Sequence, residues 1–230
     1  MESIEENSQE QNLSKAKIIT GVVIAFLLPL LLSLGVAHLP VSYWTKIYAS
    51  RIVFWAEVLL LWLYARKVEK QSLLILPEKK RGFEFVVTAV VILYLLTIAA
   101  QILSAIPVLM GYHEDTTVMR QIAHIVKGRP VLIFFISLTA GVCEEIIFRG
   151  YLLTRLSLLF KNQWAPVLLS SLLFAALHYK YNMPREYIFP FLIGVIFSIH
   201  YQRFGNIKPL IIVHFIIDVT GLMLASHFMK

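Results

Sequence analysis

An all-α, polytopic membrane helix bundle with about seven to eight transmembrane helices is the fold that this sequence predicts, and three observations predict it. The 230-residue chain is 58% hydrophobic and only 15% charged, with a mean hydropathy of +0.74, far more apolar than an ordinary soluble domain. Its apolar residues fall in runs long enough for helices to cross a bilayer core, which takes about 20 residues. Aromatic residues such as Trp44, Tyr48, Trp164, Tyr187 and Tyr201 fall near the ends of those runs, where interfacial anchors belong.

Taken in order, residues 1–14 form an acidic tail expected to be disordered, and 15–230 form a single transmembrane domain. The first apolar run, 18–39, has no small-residue cleavage site after it and reads as a retained helix. Further spans are expected at 47–64, 83–106, 130–160, 164–179, 187–201 and 207–228. The run 130–160 is too long to stand upright, so it has to tilt, kink or protrude, and the connection 107–129 has room for a short interfacial helix. No internal repeat or low-complexity tract divides the domain.

The net charge of +7 does not point to nucleic acid. Arg66, Lys67, Lys70, Lys79, Lys80 and Arg81 crowd one inter-helix loop, as positive-inside bias requires, and the bias favours a cytoplasmic N-terminus by a small margin. Cys143, the single cysteine, excludes an intramolecular disulfide and reads as a packing residue rather than a nucleophile. Glu57, an acid inside the second span, reads as a helix-packing or capping residue.

Charged residues inside apolar helices are costly to insert, and such groups are usually paired and functional. The stretch GVCEEIIFRGYLLTR, from Gly141 to Arg155, carries Glu144, Glu145 and Arg149 and ends on Arg155. Glu145 and Arg149, four apart, share a helix face and can pair, glutamate first being the better order. Glu144 is turned about 100° away and is free for another task. Downstream, FAALH puts Phe174 and His178 on one face, and HFIID does the same for His214 and Asp218.

If the fourth and fifth spans form a hairpin turning near Lys161, Glu144 and His178 both lie about 25 Å from the turn. The same count from a turn near Asn206 puts His214 only about 12 Å away, so either the hairpins protrude unequally or the span boundaries differ. A carboxylate beside a histidine in a water-limited site can deprotonate one water, with the Glu145–Arg149 pair in support and Glu144 as general base. His214 and its neighbour four residues on could then serve an oxyanion, which makes the reaction class peptide hydrolysis.

Other protease patterns fare poorly. HEDTT, from His113, has Thr117 where a zinc protease needs its second histidine, no G-x-S-x-G occurs, and Asp218 alone makes no aspartate dyad. Zinc on Glu144, His178 and His214 is the second choice, behind metal-free activation of water that needs no cofactor.

EEIIFR, FAALH and HFIID, in this order on successive apolar helices, resemble the CAAX protease and bacteriocin-processing family, also called the Abi or type II CAAX prenyl endopeptidase family. The matching region is about 130–220. The resemblance implies an intramembrane glutamate-type endopeptidase in which Glu144 activates water with His178, Glu145 and Arg149 orient that carboxylate, and His214 and Asp218 help bind the oxyanion. Phe174 would contact substrate. Many members have asparagine where this chain has Asp218; an ionised aspartate cannot donate a hydrogen bond, so Asp218 must either be protonated or orient His214 instead, and orientation is the expected role.

The expected partners are a hydrophobic, membrane-associated or lipidated peptide and the bilayer itself. The compact chain looks more like bacterial members, several of which are linked to peptide maturation or bacteriocin immunity, so a bacterial cell membrane is the expected location. Two other classes compete. One is a non-catalytic immunity or regulatory membrane protein. The other is a proton-coupled transporter, against which the lack of paired Gly/Pro-interrupted helices counts.

Overall fold

Capping serines start the first two helices. Ser14 Oγ accepts the Lys17 N–H at 3.4 Å to begin α1 (Lys15–His38), and Ser42 Oγ accepts that of Thr45 at 3.2 Å to begin α2 (Tyr43–Tyr64). A π-helical turn, Ala65–Glu69, lengthens α2 and ends at Lys70 with φ 60°. The computed structural model describes residues 13–76, 78–181 and 183–228. Apart from its last two residues, the acidic tail expected to be disordered lies outside them.

Helix α3 (Phe83–Ser104) follows, then a single turn at Ile106–Leu109 and α4 (Thr117–Val126). That last helix is the short one for which the 107–129 connection has room. Helix α5 (Pro130–Leu159) starts with proline in its first turn, where no N–H is missed. It is α-helical through Glu145, π-helical over Ile146–Leu153 and α-helical again over Thr154–Leu159. Then come α6 (Trp164–Ala176), α7 (Arg185–Phe204) and α8 (Lys208–Phe228). No strand occurs among the described residues.

Five of these helices, α1, α2 with its π turn, α3, α5 and α8, are long and apolar enough to cross a membrane. Helix α6 has 13 residues, about 20 Å, and falls short of a bilayer core. The span predicted for 164–179 therefore breaks at Leu177 and His178 before the 3-10 turn Tyr179–Tyr181. Helix α5 is the central one: 56% of its apolar window is buried, against 11–24% in the other four long helices.

Helix α8 runs antiparallel along α5. Leu132 and Ile133 share a cluster with Val219 and Leu222, Phe134 meets Phe215 edge-on at 5.3 Å, and Leu153 packs with Ile207 and Leu210. At the crossing stands Gly141, where an added Cβ would lie 3.1 Å from the Phe215 nitrogen and 3.2 Å from the Ile211 carbonyl oxygen. The absence of a side chain lets the two backbones approach. Because the start of α8 packs at the level of Leu153, α5 continues past it to Leu159. Unequal protrusion thus brings His214 to the level of the two glutamates, despite the unequal counts from the turns.

Below the crossing, polar groups fasten the basic loop. Arg155 Nη2 pairs with Glu69 Oε2 at 2.8 Å, both side chains fully buried, and donates to the Ser72 carbonyl, while Nη1 donates to that of Leu73. The Tyr151 hydroxyl donates to Glu69 Oε1 at 2.8 Å. Glu78 accepts the Ile207 N–H at the start of α8, and Asn206 Nδ2 donates to the Lys79 carbonyl. Trp164, Tyr48 and Tyr187 are exposed, as anchors should be, but Tyr201 is fully buried with Phe197 and Leu210. Tyr201 is therefore a core residue and not an anchor, because the α7 face that carries it turns toward α5.

Helices α6 and α7 meet at Gly194, where a Cβ would stand 2.7 Å from Ser171 Cβ and 2.9 Å from its Cα. Gly194→Ala is expected to force them apart and destabilise the fold by about 1–3 kcal/mol. Gly35→Ala, with nothing within 4 Å of the added atom, is expected to leave stability unchanged or raise it. Melting temperatures of the two variants in detergent check both expectations.

Candidate active site

The i,i+4 spacing on α5 does what helix geometry requires. Arg149 Nη1 lies 3.0 Å from Glu145 Oε1, with both side chains buried. The rest of the guanidinium faces aromatic rings, 4.6 Å from the centre of Phe174 and 5.4 Å from that of Phe197, which suits a desolvated cation. The π-helical stretch begins directly after Glu145; such departures from α geometry are frequent at functional sites.

The same oxygen, Glu145 Oε1, stands 2.7 Å from His214 Nδ1 on α8. An ionised carboxylate only accepts, so Nδ1–H donates to it, and the ring presents Nε2 to the other side. Nε2 is 3.8 Å from Glu144 Oε2 and 3.8 Å from Asp218 Oδ2. Exposure of these side chains rises from 0% at Glu145 to 11% at His214, 15% at Glu144 and 29% at Asp218. A buried ion pair is therefore linked through one imidazole to two carboxylates with access to the outside.

The ring of His214 is held by Glu145 at hydrogen-bond distance, whereas Asp218, expected to orient it, stands off at Nε2. His178 lies just past the end of α6. Its Nδ1 is 3.0 Å from the Phe174 carbonyl, its ring stacks on Tyr181, and it acts electrostatically on His214 and Asp218. Among the described residues it forms no ion pair with Glu144. Phe174 is buried between the two imidazoles, with its ring centre 5.1 Å from that of His178 and 6.3 Å from that of His214. At the rim, burial pushes the Tyr181 hydroxyl well above the usual phenol range, aided by nearby Glu186, so it remains an O–H donor.

The motifs omit two residues of α2, Arg51 and Glu57, that act electrostatically on Glu144. Glu57 is fully buried, and neither carboxylate oxygen has a hydrogen-bond partner. Each is an ionisable residue in an apolar helix, and that is the signal that could have found them. Among the described residues, no three His, Cys, Asp or Glu side chains are grouped to hold a metal. Two surface cavities, of about 750 and 360 Å³, lie elsewhere, one beside Arg66 and Glu78, the other beside Pro130 and Phe228.

Long apolar helices around a half-open carboxylate–imidazole cluster define the class: a polytopic helical membrane protein with a polar site inside its bundle. Residues 127–220 match the family described as type II CAAX prenyl endopeptidase Rce1-like, the family that the three motifs resemble. The matched segment contains every residue of the cluster. No curated protein and no solved structure matches the chain significantly.

Removing one member of a buried ion pair strands the other, at a cost of about 3–5 kcal/mol. Arg149→Met is accordingly expected to destabilise the protein by about that amount, and Glu145→Met with Arg149→Met by less than the single change. Unfolding in detergent monitored by tryptophan fluorescence measures both.

Proposed function

We propose that this protein is an intramembrane endopeptidase that hydrolyses a peptide bond in a hydrophobic, membrane-associated or lipidated peptide, with Glu144 activating the attacking water. The observation that carries it is the position of His214 Nε2, 3.8 Å from both Glu144 and Asp218, where the buried Glu145–Arg149 pair meets partly open space.

A gap of that width is too long for a direct hydrogen bond and suits a shared water. Glu144 takes a proton from the water as its oxygen attacks the peptide carbonyl carbon. The carbonyl oxygen becomes anionic and accepts from His214 Nε2–H, while Glu145, hydrogen-bonded to Nδ1–H, stabilises the imidazolium; a buried aspartate does the same behind the histidine of a serine protease. The proton held by Glu144 then passes to the amine nitrogen as the C–N bond breaks. His178, whose Nδ1–H is committed to the Phe174 carbonyl, keeps Nε2 as an acceptor. Asp218 Oδ2, 3.8 Å from the same Nε2, borders the gap on its more open side. Removal of the glutamate partner should therefore damage the histidine's role as well as the ion pair.

The scheme needs no metal and no cofactor, and the membrane supplies the substrate. A bacterial cell membrane is the location that the motif resemblance favours.

Glu144→Ala and Glu144→Gln are each expected to lower cleavage by about 10²–10⁴-fold, the usual contribution of a positioned general base, without loss of folding. Comparing the peptides of membranes from wild-type and Glu144→Ala cells identifies a substrate, and a synthetic copy assayed with purified protein in liposomes measures the rate. Cleavage undiminished in Glu144→Ala would remove the proposal. Treatment with EDTA or 1,10-phenanthroline is expected to leave wild-type cleavage intact; inhibition reversed by added zinc would transfer the role of Glu144, His178 and His214 to metal binding.

A further inference from the structure

The basic residues crowded between α2 and α3 do not share one environment. Arg81 leans over Phe85, 5.0 Å from the ring centre, whereas Arg66 and Lys70 line a surface cavity of about 750 Å³. That volume falls within the range of small-molecule sites, about 300–1,000 Å³. Both side chains are exposed, and among the described residues neither forms an ion pair. Arg66 is seated over the ring of Trp62, 5.6 Å from its centre, and Trp62 lines the same cavity.

The other side of the cavity is held by the core of the bundle. Ser72 and Leu73 line it, and their carbonyls accept from the fully buried guanidinium of Arg155 on α5. Leu74, also in the lining, rests on Gly150 of the π-helical stretch, where an added Cβ would collide with its Cδ2. Glu78 is the one acid of the lining, and both its oxygens are engaged by the Ile207 N–H, at 3.1 and 3.2 Å. Two cations therefore border a preformed space whose single carboxylate already has a partner. An anion fits that imbalance.

Position says where the anion comes from. The cavity lies where the apolar span Trp44–Glu69 ends. Ile52, Trp55, Leu59 and Trp62, at helical spacings of three and four, form an exposed row that leads along α2 to Arg66. From Ile52 to Trp62 the row is about 15 Å long, half of the bilayer core of about 30 Å. It matches the depth of one lipid leaflet.

We propose that this cavity binds one anionic phospholipid, with Arg66 and Lys70 holding the headgroup phosphate and an acyl chain lying along the exposed row of α2. A guanidinium forks around phosphate oxygens and a lysine adds a point charge, and basic pockets at the ends of membrane helices take anionic headgroups. The site is separate from the carboxylate–imidazole cluster, and the inference does not depend on the peptidase reading.

The test titrates the full chain in detergent with phosphatidylglycerol or with zwitterionic phosphatidylcholine. Native mass spectrometry reads the lipid retained, and melting temperature reads the stabilisation that a ligand of the folded state gives. Phosphatidylglycerol is expected to be retained at one per chain and to raise the melting temperature, and phosphatidylcholine to do neither. Arg66→Gln with Lys70→Gln should weaken phosphatidylglycerol binding about 25-fold, each basic residue near an anionic headgroup contributing about fivefold. Lys79→Gln with Lys80→Gln removes the same charge from the same loop outside the cavity, and should weaken binding by less than about threefold. Arg66→Lys with Lys70→Arg keeps both charges and should bind more tightly than the Arg66→Gln and Lys70→Gln pair, which keeps the test decisive if that pair folds poorly. Equal losses in the two glutamine pairs would show diffuse attraction to the loop and overturn the inference. Equal retention of phosphatidylcholine would overturn it too, as would displacement of the lipid by glycerol 1-phosphate at the lipid's own concentration, which would make the cavity a site for a soluble anion.

Discussion

One carboxylate oxygen, Oε1 of Glu145, ties the site together. It accepts from Arg149 on its own helix at 3.0 Å and from His214 on α8 at 2.7 Å. Charge-assisted hydrogen bonds of this kind are about twice as strong as neutral ones, and burial raises what is lost when one partner goes. The consequence reaches past stability. With Nδ1 of His214 held by Glu145, Nε2 can only face the opposite side, where Glu144 and Asp218 stand. Adjacent glutamates turned about 100° apart on one helix thus take separate tasks, one structural and one directed at the open space.

The scaffold serves that contact. Gly141 lets the backbones of α5 and α8 approach within reach of the Glu145–His214 bond. Helix α5, the most buried of the long helices, carries both glutamates and Arg149, so the charges enter at the centre of the bundle where partners surround them. Further along the same helix, Arg155, Tyr151 and Glu69 form a second buried polar knot that pins the basic loop beneath the site. Burial decreases from Glu145 through His214 to Asp218, which grades the cluster from protein interior toward the outside.

Helix periodicity made part of this legible in the amino-acid sequence. Glu145 and Arg149 had to share a face, the long run after Pro130 had to be irregular or protrude, and a short helix fitted between the third and fourth long spans. Depth was harder to read, because residue counts from turns assume that turns lie in one plane. The start of α8 packs at Leu153, short of the α5 end, and His214 rather than His178 stands nearest Glu144, at 3.8 Å. Patterns also omit single charges whose partners lie far along the chain. Arg155 sits 86 residues from Glu69, and Arg51 belongs to a helix outside the three motifs. Tyr201 resembled an interfacial anchor by its place near a span end, yet its side of α7 turns inward to the core.

The central claim, that Glu144 and His214 act as one unit on a single water and carbonyl, is tested most directly by a double-mutant cycle on kcat/KM. Glu144→Gln, His214→Ala and the combination would be assayed in liposomes on one peptide. Groups that act as a unit give a double variant no slower than the worse single variant, and that is the expected result. Losses that multiply, so that their activation free energies add, would show two independent contributions and contradict the account.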